Sequence, residues 1–350
     1  MAQSGSLCGG GFAQKPPQRG NPATRHDPDT LSDPENEALF SVTTLLMTHP
    51  AGLDHATPAG HPERADRLRA VEQALEDERF AALVRETAPL GTLDQVALCH
   101  PRAFAEAVIA ASPKSGLVQI DPDTLMSPGT IEAVLRGVGG AVHAVDEVMS
   151  GRASNAFSAM RPPGHHAESV KAMGFCFFNS AAIAARHAQT AYGAERVAVI
   201  DWDVHHGNGT QEIFWDDRTV LYASTHEMPL YPGTGAPSER GQHGTIVNAP
   251  LRGGEGSDEF RDAFGSALLP RIDAFQPDLI VISAGFDAHW RDPLANINLK
   301  EADFAWATQK LMEIADRHAK GRVVSVLEGG YDLEGLAKSA AAHVQALMRG

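Results

Sequence analysis

The sequence predicts an α/β fold, a single domain with a central, mostly parallel sheet and helices on both faces. Three observations predict it. Strand-like runs at about 154–159, 197–202, 219–224, 279–284 and 322–327 alternate with helical stretches at about 180–191, 257–275, 300–319 and 333–348. Such alternation indicates parallel pairing through helical crossovers. The chain has 350 residues, with no internal repeat and no linker after its first segment, which is enough for one large core. Four of the strand ends carry unusual polar groups, as expected where an open parallel sheet places its ligands.

Taken in order, residues 1–41 are rich in Gly, Pro, Gln and Asp and read as a disordered leader. Residues 42–350 read as the single domain. Thr43–Met47 is the first strand candidate. A loop with His49, His55 and His61 follows; it suits turns around its prolines, or the mouth of a pocket, better than a metal site. An amphipathic helix should run from Pro62 to about Phe80, with Leu68, Val71 and Leu75 on one face. A second helix should follow Pro101 and close at Gly116. Ile120–Thr124 reads as a polar loop. Ser127-Pro128 opens a long helix, striped by Ile131, Val134, Leu135, Val138, Val142, Val145 and Met149, which Gly151 stops. The regular strand–helix alternation follows, and Pro270 should kink or split the helical run over 257–275.

Bulk composition narrows the function class. Hydrophobic content of 43% and charged content of 21% suit a soluble globular protein. A net charge of −15 repels nucleic-acid phosphates and favours cationic ligands, though solubility alone explains it as well. The cysteines Cys8, Cys99 and Cys176 are odd in number and far apart, which suggests a reducing compartment and no disulfide framework. No apolar run is long enough to span a membrane, and the N-terminus lacks the order of a signal peptide. A cytoplasmic protein is expected.

The chemistry concentrates at Asp201–Thr210, where an apolar run, Val197–Ile200, leads into Asp201, Asp203 and His205 at alternate positions. Alternate side chains of an extended segment share a face, so oxygen and nitrogen donors can converge as a buried strand ends. The other endings are Arg161–Glu168, Ala284–His289 and Glu328–Tyr331. Each alone is weak: an Asp beside Gly is often a turn, adjacent histidines are often a solvated pair, and Tyr331 alone would be a packed aromatic. Together they suit a metal hydrolase. Asp203, His205 and Asp287 can supply three ligands and leave a position open for water. Nearby histidines can move protons, and Tyr331 can donate to a developing oxyanion. A two-metal site would need further interleaved carboxylates. His205 is followed by His206-Gly207 and Asp287 by Ala288-His289, so ligands for one ion are evident.

At this point the sequence resembles the zinc-dependent histone deacetylase family, in particular its class II branch and the bacterial deacetylase-like amidohydrolases. The resemblance is carried by Arg161–Glu168, Gly174–Asn179, Asp201–Thr210, Tyr231–Gly235, Ser283–Asp287 and Leu327–Tyr331, in family order. It implies an arginase-like parallel sheet and hydrolysis of an N-acetyl amide on a lysine-like amine. It implies zinc on Asp203, His205 and Asp287, with one ion per subunit. It implies His166 as general base and then acid, His165 as its electrostatic partner held by Asp201, and Tyr331 polarising the scissile carbonyl. Phe175 and Tyr231 would face each other across an acyl-lysine tunnel beside Gly174, and Asp123 would grip the substrate backbone. Potassium would sit by Asp201 and Ser224 and by the main-chain carbonyls of Asp203 and His205. Many relatives have Phe at the position of Tyr231. Asn208 stands where class I relatives have Asp, which should leave the proton affinity of His166 lower. Leu294 stands where polyamine-selective relatives can place Glu, and leucine cannot recognise a second amine. The expected partner is an acetylated lysine peptide or a small acetylated amine, with no nucleic acid and no membrane. Left open are an acetylpolyamine or other small-amide deacetylase, a non-catalytic acyl-lysine binder, iron(II) in place of zinc, and a homo-oligomer.

Overall fold

Among the described residues of the computed structural model, eight parallel strands make the central sheet, in the order β2-β1-β5-β10-β9-β6-β7-β8. The strands are β1 (Thr44–Thr48), β2 (Val84–Thr87), β5 (Asn155–Ser158), β6 (Val197–Asp201), β7 (Val220–Glu227), β8 (Ile246–Leu251), β9 (Leu279–Ala284) and β10 (Val323–Leu327). A separate antiparallel hairpin pairs β3 (Val118–Asp121) with β4 (Thr124–Met126). The structure describes residues 42–350 and Gln14, so the leader expected over 1–41 falls, apart from that residue, outside the described residues.

The inner strands β5, β10, β9, β6 and β7 are buried on both faces, as parallel strands covered by helices must be. In β9, Ile280 and Ile282 join a core layer with Trp202, Phe286, Phe304 and Val344, while Leu279 and Val281 join the opposite layer with Val145, Ala184 and Val199. Helices Ser257–Ala263, Glu301–His318 and Leu333–Leu347 contribute to the first layer, and Thr130–Met149 and Ser180–Tyr192 to the second. The four strands that carry the polar endings, β5, β10, β9 and β6, are consecutive at the centre of the sheet. Their carboxyl ends therefore open onto one place.

Several elements differ from expectation. The helix expected from Pro62 begins at Asp66 and ends at Ala74, with a 3₁₀ turn at Glu78–Phe80, because Glu63 is drawn inside to meet Arg161 and Arg67. The helix after Pro101 ends at Ala110, short of Gly116. The polar loop at 120–124 is the tight turn of the β3–β4 hairpin, with Pro122 and Asp123 at its tip. Pro270 falls, as expected, where its helical run divides: it stands in the first turn of the last segment, Leu269–Phe275. A π-helical stretch at Phe264–Leu268 leads into Leu269–Phe275, and the wider turn tolerates the missing N–H.

Strands β2 and β8 were not anticipated. They are the two edges of the sheet, and β2 is exposed throughout. β8 contains Pro250. The carbonyls of Thr245 and Leu251 accept from Tyr222 and Met228, so alternate residues bond inward and Pro250 faces outward, where its lost donor breaks no ladder bond. No described helix is long and apolar enough to cross a membrane.

Candidate active site

β6 ends at Asp201, and the chain bends over 203–205, which brings Asp203 and His205 together while Trp202 packs into the core. The loop after β9 brings Asp287 to the same point. Each of the two carboxylates has an oxygen tied to a neighbouring backbone: Gly329 N–H donates to Asp203 Oδ2 and Val204 N–H to Asp287 Oδ1, both at 2.8 Å. The other oxygens, Asp203 Oδ1, which also accepts from His205 N–H at 2.9 Å, and Asp287 Oδ2, lie 3.2 and 3.1 Å from His205 Nδ1. Gly329 allows this approach, since a side chain there would overlap Asp287 and Asp203.

The donor set fits a divalent ion. One atom from each of Asp203, His205 and Asp287 lies within 4.8 Å of the others. A tetrahedral site with bonds of roughly 2.0–2.1 Å has edges of about 3.3 Å, close to the observed nitrogen–oxygen separations. Burial opposes both carboxylate charges. His165 and His205 nonetheless hold Asp203 well below the usual carboxylate range, whereas burial and the Asp203 charge push Asp287 up to about 7. Burial also opposes a cationic His205, but its two carboxylate partners lift it to about 10. The cluster is short of positive charge at its centre, and a dication there would relieve the repulsion between the carboxylates.

Two adjacent histidines have opposite environments, with ring centroids 4.0 Å apart. His165 Nδ1–H donates to Asp201 Oδ2 at 3.0 Å. Burial disfavours its charge, but Asp203 and Asp201 outweigh that and hold it well above the ordinary imidazole range. His166 is driven well below that range by burial and by the neighbouring His165 and His205. Its Nδ1 faces Asn208 Oδ1 at 2.8 Å. Gly174, at φ +59°, packs against the His166 ring, and a Cβ there would overlap it.

These groups open into a cavity of about 200 Å³ lined by Asp123, His166, Gly174, Phe175, His205, Leu230, Tyr231, Leu294 and Tyr331. The expected wall residues Phe175, Tyr231 and Leu294 are thus gathered at one mouth. Asp123 Oδ1 accepts from Gly174 N–H at 3.1 Å, which ties the β3–β4 turn to the wall. Burial, together with Asp287 and Asp203, raises the Tyr331 hydroxyl well above its usual value despite the Arg67 guanidinium 4.8 Å from its ring. It therefore stays a donor. Ser224 stands beside Asp201 in the β6–β7 register, with its Oγ 2.9 Å from His226 Nδ1.

The three loop histidines separate. His49 Nδ1 accepts from Ala51 N–H in a turn, His55 is buried between Thr130 and Glu63, and His61 meets Phe175 edge-on at 4.9 Å. His206, beside a ligand position, binds Thr234 and Gln211 instead. Sequence reasoning passed over several residues. Tyr222 donates to Asp201 at 3.1 Å, and Glu168 accepts from Asn208 at 2.8 Å. Asp292 Oδ2 accepts from Tyr331 N–H at 2.7 Å. Glu328 Oε2 accepts from the amides of Gly164 and His165 at 2.6 and 3.1 Å. Arg67 donates to the carbonyls of Gly330 and Glu328 at 2.6 and 2.5 Å. Glu168 and Glu328 lie inside conspicuous motifs, which was a usable signal; nothing local marks Arg67 or Tyr222.

The chain is similar to known proteins over most of its length. The histone deacetylase domain model matches residues 61–347. A probable deacetylase of Archaeoglobus fulgidus is 38% identical over 303 residues, covering 84% of this chain and 83% of the relative. A histone deacetylase-like amidohydrolase of Pseudomonas aeruginosa is 38% identical over 292 residues, covering 81% and 77%. Among solved structures, the HDA15 HD domain superposes with a TM-score of 0.83 at 37% identity, covering 88% of this chain and 89% of that one. The chain belongs to the histone deacetylase family and is a hydrolase that acts on amide bonds.

Proposed function

We propose that this protein is a zinc-dependent deacetylase that removes acetyl groups from lysine side chains or closely related amines. The observation that carries the reading is the convergence of Asp203 and Asp287 on His205, which lines a pocket together with His166 and Tyr331. When bound, the ion would polarise the amide carbonyl and acidify water; iron(II) suits the same ligands. A potassium ion beside Asp201 and Ser224 belongs to the same reading. Phe175, Leu230, Tyr231 and Leu294 enclose a methylene chain with flat and apolar walls. Asp123 accepts from the substrate backbone. His166, neutral by burial, takes a proton from the attacking water through Nε2. Tyr331 donates to the carbonyl oxygen as it gains charge. His165, cationic beside Asp201 and Asp203, steadies that charge. His166 then returns its proton to the departing amine. Water has added across the C–N bond, giving acetate and free amine. The composition favours the cytoplasm.

A small-amide reading uses the same groups. Leu294 at the mouth offers no charge to a second amine, so kcat/KM should favour an acetyl-lysine peptide over N-acetylputrescine. Preference for the polyamine would overturn the substrate assignment. Asp203→Ala and His205→Ala should each lose bound metal, measured by elemental analysis, and acetate release. Full turnover in a metal-free variant would end the zinc reading. Failure of a hydroxamate chelator to stop acetate release would do the same, and the absence of any release would favour a non-catalytic binder.

A further inference from the structure

We infer that Glu168 is a positioning residue: acting through Asn208, it sets which nitrogen of His166 carries the proton. The inference rests on the reading of His166 as proton acceptor. Asn208 lies between the two, with Oδ1 2.8 Å from His166 Nδ1 and Nδ2 2.8 Å from Glu168 Oε1. An amide has one accepting end and one donating end, of nearly equal shape, so its neighbours decide which way it points. An imidazole nitrogen can donate or accept and decides nothing. A carboxylate only accepts. Glu168 therefore draws the NH₂ of Asn208 to itself and turns the carbonyl toward His166. His166 must then donate from Nδ1, and its Nε2 is left with a lone pair. That is the nitrogen a proton acceptor needs. Reversal of the amide would put the proton on Nε2 and leave His166 unable to accept one.

The surroundings hold Glu168 to this task. Its backbone bridges to Lys171, and the next residue, Ser169, is pinned by N–H and Oγ to the Glu212 carboxylate, both at 2.9 Å. Asn208 is buried at 5% exposure, and its other side-chain contact is the weak acceptor Met173 Sδ at 3.5 Å, so no second strong acceptor fixes the amide. Asn208 Nδ2 would otherwise be free to turn toward His166.

Glu168→Gln keeps the shape and removes the rule, since glutamine donates as readily as it accepts. The ¹⁵N spectrum of histidine-labelled zinc enzyme reads the tautomer directly. Native His166 should be protonated at Nδ1, and Glu168→Gln should show a population protonated at Nε2. Its kcat should fall at least about tenfold with KM within about twofold, a wrong-tautomer penalty. The double variant Glu168→Gln with Asn208→Asp restores the polarity: aspartate accepts from both neighbours. It should recover the native tautomer and most of kcat, although Asn208→Asp alone, with two carboxylates in contact, should not. A merely structural role for Glu168 would give no such rescue. A native tautomer in Glu168→Gln, or a double variant no better than the worse single one, overturns the inference. A shifted tautomer with unchanged kcat leaves Glu168 in control of the ring but removes His166 as proton acceptor.

Discussion

Tyr331 shows how one residue is made fit for one use. Its N–H is held by Asp292, the carbonyls of Gly330 and Glu328 just before it by Arg67, and its hydroxyl is kept protonated by burial beside carboxylates. Tyr331→Phe should therefore lower kcat by about 100-fold or more, with bound metal unchanged, because only the oxyanion donor is lost; steady-state kinetics with a metal assay would check this, and an unchanged kcat would take Tyr331 out of the chemistry. At this scale the site was legible in part. Asp203, His205 and Asp287 could be read because few residue types bind a divalent ion and alternate positions share a face. Glu63, Arg67 and Tyr222 could not. Their partners are remote or are backbone atoms, and neither leaves a trace in local sequence.

Among the elements, the helix Leu333–Leu347 carries a histidine with no catalytic place. His343 is fully buried against Phe157, Trp202 and Phe286. Thr308 spends its hydrogen on the Phe304 carbonyl, so its Oγ1 accepts from His343 Nδ1–H at 2.7 Å; Nε2 is then left to accept from Ser325 Oγ at 2.9 Å. Burial lowers its pKa to about 3. The sign follows: between about 3 and the ordinary imidazole value near 6.5, the unfolded chain binds a proton that the folded chain refuses. The contribution is full above that window and is lost as pH falls through it. From pH 7 to pH 5 the loss should be about 2 kcal/mol. Urea unfolding of wild type and His343→Gln at both pH values should show a smaller acid loss in the variant, and equal losses would refute the assignment. Long elements with a clear period were readable here, as in Thr130–Met149. The edge strands were not. β2 buries nothing, β8 breaks its pattern with Asn248 and Pro250, and the β3–β4 hairpin resembles a loop because its turn is polar.

Across the whole molecule, a buried charge network joins distant parts of the chain. Glu63 takes Arg161 on both oxygens at 2.7 and 2.6 Å and Arg67 at 3.0 Å, and all three side chains are fully buried. Arg161 also donates to the Gly52 and His55 carbonyls, so the segment before the first long helix is tied to the end of β5. Arg67 carries the tie on to the end of β10. Glu63→Gln strands two buried guanidinium charges and should cost about 3–5 kcal/mol in denaturant unfolding; a change under about 1 kcal/mol would mean that the network can be dispensed with. The parallel architecture itself was legible from the alternation of strands and helices.

The outward face of Pro250 bears on how copies of this chain can meet. A bare strand edge is a template on which a second chain can lay down hydrogen bonds and begin fibrous growth. At β8 the rung that Pro250 should offer has no hydrogen to give, and at the opposite edge β2 presents Arg85 and Glu86, charges that discourage stacking. Neither border of the sheet invites continuation into a neighbour. Strand-to-strand polymerisation through these two edges is thereby disfavoured.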